Sequence, residues 1–96
     1  MTAYVIFIRE QTHDQRELDI YSEKMGDMLA GLPVTVLSAY GRMEVFEGDA
    51  PEGVVLVSFP TLEQAKAWYH GDAYQAVVGH RHKGATYRGF VVEGLA

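Results

Sequence analysis

The chain predicts a single α+β domain with its elements in the order β-α-β-β-α-β. Three observations carry that expectation. Two apolar runs, Ala3–Ile8 and Val54–Phe59 (broken only by Ser58), are too short for helices and rich in β-branched and aromatic residues. Each is followed by capping residues and then by apolar residues at helical spacing. Two further extended stretches, Val34–Tyr40 and Thr86–Glu93, are more mixed, with Thr35, Ser38, Arg88 and Gly89 among them, as edge strands are.

The elements follow in order. Ala3–Ile8 reads as a strand buried on both faces. Thr12 or Asp14 is placed to cap the next element, with Gln15 or Glu17 at the reciprocal position of a capping box. Leu18, Tyr21, Met25, Met28, Leu29 and Leu32 then share one helical face, and Gly31 and Pro33 end that helix. In the second strand, Val34–Tyr40, Gly41 and Arg42 interrupt the pattern; an extended continuation over Met43–Phe46 and a bulge or kink near Gly41 are expected. The turn formers from Glu47 to Gly53 make a hairpin loop, and Val54–Phe59 ends at Pro60. Thr61, with Gln64 three residues on, caps a helix whose apolar side is Leu62, Ala65, Trp68 and Tyr69. Gly71 ends it, and Asp72 with Gln75 starts a short helix reaching about His82 before the last strand.

Right-handed crossovers arrange four such strands as an antiparallel sheet of order 4-1-3-2, the ferredoxin-like arrangement, with the two apolar runs central. The helices cover one face only. Yet Tyr4, Ile6 and Ile8 alternate with Val5 and Phe7, so both faces of the first strand are apolar, and the third strand repeats the pattern. A second copy packed sheet to sheet, giving a homodimeric barrel, is the expected cover.

Composition bounds the function. The 96 residues are 48% hydrophobic and 22% charged, which is globular rather than disordered. A net charge of −5 argues against a nucleic-acid binder, and no apolar run reaches the roughly 20 residues of a membrane span. The start lacks a basic leader and reads as a strand rather than a signal peptide. Cysteine is absent, which removes thiolate chemistry and fits a cytoplasmic protein. No spacing suggests a cofactor, a phosphate-binding loop or a nucleophile elbow.

The locally basic His80-Arg81-His82-Lys83 segment supplies the candidate chemistry. Tyr74, Val78 and Arg81 stand at i, i+4 and i+7, so a phenol and a guanidinium share a flank, and a guanidinium can hold a carboxylate or enolate. The alternative for Arg81 is an ion pair with Glu44 or Glu47. His80 shares the flank of Ala73, Ala76 and Val77 and is expected to point inward, as an acid or base or as a core histidine bonded to a carbonyl. His80 and Arg81 are thus the catalytic candidates, and Arg81, His80, Tyr40 and Tyr74 the ligand-binding ones. His80-x-His82 is no metal pair on a helix, where the rings diverge by about 200°. Trp68 and Tyr69 read as core and interface anchors. His13 and His70, at helix ends, read as solvated.

The motifs Tyr40-Gly-Arg42, Glu44-Val-Phe-Glu-Gly48, Val57-Ser-Phe-Pro-Thr61, Ala65-Lys-Ala-Trp-Tyr69, Asp72-Ala-Tyr-Gln75, Arg81 and Val92-Glu-Gly94 give the chain a further resemblance. Over nearly its whole length it resembles the family known as domain of unknown function 1330, in the dimeric α/β-barrel superfamily. The resemblance implies a ferredoxin-like protomer, a homodimer and no established catalytic residues. Two positions depart from the family pattern. Tyr40-Gly41 stands where Gly-Gly is usual, and His80 and His82 flank the arginine where apolar residues are usual. The functional expectations are a small-molecule binding protein with a pocket between sheet and helices or a cofactor-independent isomerase, cyclase or oxygenase. A purely structural dimer module is the third.

Overall fold

The structure, a computed structural model, describes residues 1–96. β1 (Ala3–Thr12), β2 (Thr35–Ala39), β3 (Gly53–Phe59) and β4 (Ala85–Glu93) form one antiparallel sheet in the order β2-β3-β1-β4. This is the expected order read from the other edge, and the two apolar runs are its centre. Central strands lack a solvent edge, and the most continuously apolar runs of the chain lie there.

Four helices lie on one face: α1 (Gln15–Ala30), α2 (Leu62–His70), α3 (Asp72–Gln75) and α4 (Val78–Gly84). Asp14 caps α1, its carboxylate accepting the Arg16 N–H at 3.1 Å. Thr61 caps α2 by accepting the Gln64 N–H at 3.1 Å. Leu18, Tyr21 and Met25 are the buried stripe of α1.

Two local expectations are corrected. The short helix after Gly71 is not continuous. At Ala76–Val77 the chain tightens, with the Val77 N–H bonded to the Tyr74 carbonyl three residues back, before α4 begins. The second correction concerns Met43–Phe46, which forms no strand. The register of β2 on β3 shifts between Val36 and Ser38, so the bulge precedes Gly41, and Tyr40 then takes a left-handed φ of 56°. That turn carries the chain off the sheet edge. Residues 40–52 become a loop in which Phe46 is 89% exposed.

The core lies between the helices and the odd-numbered residues of β1 and β3: Val5 and Phe7, Val57 and Phe59. Tyr74, wholly buried, is its hub. Its ring lies 4.4 Å from that of Trp68 and 6.5 Å from that of Phe7, and its hydroxyl shares a 2.7 Å hydrogen bond with that of Tyr21. Burial pushes both phenols above the ordinary tyrosine range, and their mutual proximity adds to the shift on Tyr21.

The folded state therefore holds these two protons more tightly than the unfolded chain. Their contribution to stability is complete below about pH 10, the unfolded tyrosine value, and is lost as pH rises above it. Urea midpoints should accordingly fall on that alkaline limb, and Tyr21→Phe should flatten it. Thr61→Ala, which removes only a cap, is expected to destabilise by about 1 kcal/mol, read as a change in the urea midpoint at neutral pH.

Candidate functional site

Arg81 is 5% exposed and is the buried charged side chain of this fold. Its position follows from α4, whose Val78 and Arg81, three residues apart, both face the sheet. The end of α4 is pinned to the start of α1, the Gly84 carbonyl accepting the N–H groups of His13 at 2.7 Å and Asp14 at 3.0 Å. The guanidinium carbon lies 4.8 Å from the Phe7 ring centroid on β1 and 5.2 Å from that of Tyr87 on β4. Opposite, Gly89 leaves room: a Cβ there would stand 2.8 Å from the Phe7 ring and 3.6 Å from Arg81 Nη1.

No carboxylate pairs with this guanidinium. Its Nε and Nη1 are buried without a hydrogen-bond partner, and Nη2 has only a long 3.4 Å contact with His82 Nε2. The anticipated pairing with Glu44 or Glu47 does not form, because both belong to the loop that leaves the sheet. Arg81 instead lines a cavity of about 260 Å3 between α1 and the sheet. Tyr21, Ser22, Met25 and Leu29 of α1 form its roof; Phe7, Val36, Val55 and Val57 form its floor; Tyr40 and Tyr87 complete the wall. Val36 and Tyr40 are substantially exposed and mark the mouth, whereas Arg81 is at the closed end.

Tyr40 is held from three sides. Its hydroxyl is hydrogen-bonded to that of Tyr87, and the Arg9 guanidinium lies 4.5 Å from its ring centroid. Gly53 admits the ring, since a Cβ there would meet Tyr40 Cδ1 at 2.3 Å. Burial, then the bond to Tyr40, pushes the Tyr87 phenol above its ordinary range. Arg9 differs from Arg81 in having a carboxylate, Glu52, whose Oε1 is 3.0 Å away. Hydrogen bonds from Thr12 hold that carboxyl below the ordinary glutamate range.

Of the four ligand-binding candidates, Arg81 and Tyr40 therefore meet in one cavity. Tyr74 stands behind it, its hydroxyl bonded to Tyr21, which does line the wall. His80 does not point into the core: its Nδ1 lies 2.6 Å from Glu17 Oε2 on α1, so it bridges two helices away from the cavity. The break at Ala76–Val77 explains the difference, since α4 is rotated relative to the flank that a continuous helix would present. Tyr87 and Tyr21 were not anticipated in this role. The alternation of Tyr87 with Val91 in the last strand carried a signal for its face; nothing in the α1 stripe separated Tyr21 from ordinary core.

A second cavity of about 230 Å3 lies on the other side of Phe7, with Lys66 and His70 of α2 among its lining residues. None of its lining residues has a buried polar group left without a partner. No cluster of three or more His, Asp or Glu residues is arranged to hold a metal ion. No helix is long and apolar enough to cross a membrane.

Known proteins share this architecture. A protein of unknown function from Rhodopseudomonas palustris superposes with a TM-score of 0.73 at 12% identity, over 99% of this chain and 83% of that one. A dimeric ferredoxin-like protein of unknown function from Jannaschia sp. CCS1 gives 0.71 at 15% identity, over 98% and 100%. An ethyl tert-butyl ether D (EthD) family protein from Bacillus halodurans gives 0.65 at 16% identity, over 99% and 100%. At such identities the likeness shows the fold alone. No functionally curated protein matches the sequence. The family model described as domain of unknown function (DUF1330) matches residues 2–95, so the chain belongs to that family.

Proposed function

We propose that this protein is a homodimer that binds a small organic anion in the cavity between α1 and the sheet, with Arg81 as the anchor. The single observation that carries the reading is a buried guanidinium with two unpartnered N–H-bearing nitrogens lining a cavity. Stacking on Phe7 and Tyr87 offsets part of the desolvation but supplies no acceptor in the plane of the guanidinium. A bound anion would supply it.

The remaining wall favours binding over proton-transfer chemistry. It contains no carboxylate and no imidazole, and its phenols are protonated at neutral pH, with burial pushing Tyr21 and Tyr87 further above the ordinary tyrosine range, so no wall group serves as a base. A purely structural dimer module would account for the sheet but not for the empty space at Arg81. The cysteine-free composition supports a cytoplasmic setting.

The homodimer rests on the other face of the sheet. Tyr4, Ile6, Ile8, Val54 and Leu56 point away from the helices, and Phe90 and Val92 beside them are 48% and 49% exposed. Related folds from Bacteroides fragilis, Jannaschia and Thermobifida fusca are described as dimeric, which supports the same use of this surface here. Sedimentation equilibrium at micromolar concentration should return a dimer, and Ile6→Glu should convert it to monomer. A stable wild-type monomer overturns the assignment.

For the site, small organic acids at roughly ten times their Kd should stabilise the fold by about 1.4 kcal/mol, a rise of several degrees in Tm. Arg81→Met should abolish the rise. If no acid raises Tm, or the variant responds like wild type, Arg81 is not an anion anchor.

A further inference from the structure

Resting on the site proposed above, we infer that its ligand is a monocarboxylate of roughly ten heavy atoms in all, bound head-first with the carboxylate at the closed end and an apolar body toward the mouth. Charge sets the first limit. Arg81 is the one cation in the cavity wall, while Arg9 lies across the Tyr40 ring and is matched by Glu52. A single negative charge is neutralised there; a second would be buried without a partner.

The donors set the head group. Each of the two phenol pairs, Tyr21 with Tyr74 and Tyr40 with Tyr87, uses one of its protons internally and has one left. Tyr21 lines the cavity and Tyr74 stands behind it, so the Tyr21 hydroxyl is the member of that pair within reach of a ligand. A carboxylate, with two acceptor oxygens, matches the two unpartnered nitrogens of the guanidinium, Nε and Nη1. Phosphate carries more charge and a third free oxygen than this wall can satisfy.

Depth sets the direction. Arg81 is 5% exposed, whereas Val36 at the mouth is 49% exposed, so the charge must enter first and the apolar part fills the space under Met25 and Leu29. Volume sets the size. A cavity of about 150 Å3 accepts benzene, so about 260 Å3 accommodates roughly ten heavy atoms.

Four probes separate the terms by calorimetry and thermal melting: 3-phenylpropanoate, its neutral counterpart 3-phenylpropan-1-ol, the dianion benzylmalonate, and inorganic phosphate. The monocarboxylate is expected to bind about tenfold or more tighter than the alcohol. That gap should close in Arg81→Met, and Val36→Phe should weaken the monocarboxylate by narrowing the mouth. Benzylmalonate and phosphate should be weaker than 3-phenylpropanoate. If either binds at least as tightly and depends on Arg81, the anion site stands and the monocarboxylate class is wrong. If alcohol and acid bind equally in wild type, or nothing binds, the anion site itself fails. Should Arg81→Met not fold, side-chain NMR of the wild type decides. Shifts of the Arg81 Nε–H and Tyr21 ring signals on adding 3-phenylpropanoate support the pose, and their absence overturns it.

Discussion

A guanidinium cannot be deprotonated to escape a buried position, and this constraint organises the helix-covered half of the molecule. Arg81 projects from α4 toward the sheet, between two aromatic rings and without a carboxylate. Removing an ion from water costs several kcal/mol even after relaxation. Stacking recovers a fraction of that, of the order of 2 kcal/mol when desolvated. The remainder must be met by whatever occupies the adjoining space, water or ligand. A site with an intrinsic deficit of negative charge is predisposed to an anion.

The same face provides an internal control. Arg9 and Arg81 both lie on the helix side of the sheet, and both stack on tyrosines. The chain supplies Arg9 with Glu52, held by Thr12 at the point where the 40–52 loop returns to the sheet. It supplies Arg81 with nothing comparable, although the fold has acidic residues close at hand: Glu17 on the neighbouring helix is given to His80 instead. Arg9 thus has a countercharge at 3.0 Å and Arg81 has none, although the Nε of both is buried without a well-aligned hydrogen bond.

The sheet was legible in the sequence because its information is local. Ala3–Ile8 and Val54–Phe59 are apolar on both faces but for Ser58, and both are the central strands. The helix caps at Asp14 and Thr61 were legible for the same reason, since a cap is settled within three residues. The site was only half legible. Arg81 and Tyr40 carried signals of their own, a basic residue in an apolar flank and a bulky residue beside a glycine. Tyr87 is brought to Tyr40 from 47 residues away, by register across β1 and β3, which no short window contains. His80 was misread because a single tightened turn at Val77 reorients everything after it, and such a turn carries no strong residue signature. Met43–Phe46 has the composition of a strand, but the left-handed Tyr40 removes it from the edge it would have joined.

The alternation along β1 finally separates the two surfaces that matter. Val5 and Phe7 face the helices, Phe7 also lining the Arg81 cavity, whereas Tyr4, Ile6 and Ile8 face away. Residues of opposite parity share a backbone but not a packing environment. The proposed dimer therefore covers the sheet without contributing a wall to the Arg81 cavity, whose roof is the chain's own α1. Association and ligand binding are coupled only through the rigidity of β1 and β3, the strands common to both. A dimer is thus a means of protecting those two strands, and a protected sheet is what keeps Phe7 and Val57 fixed as the floor on which an anion at Arg81 would be read.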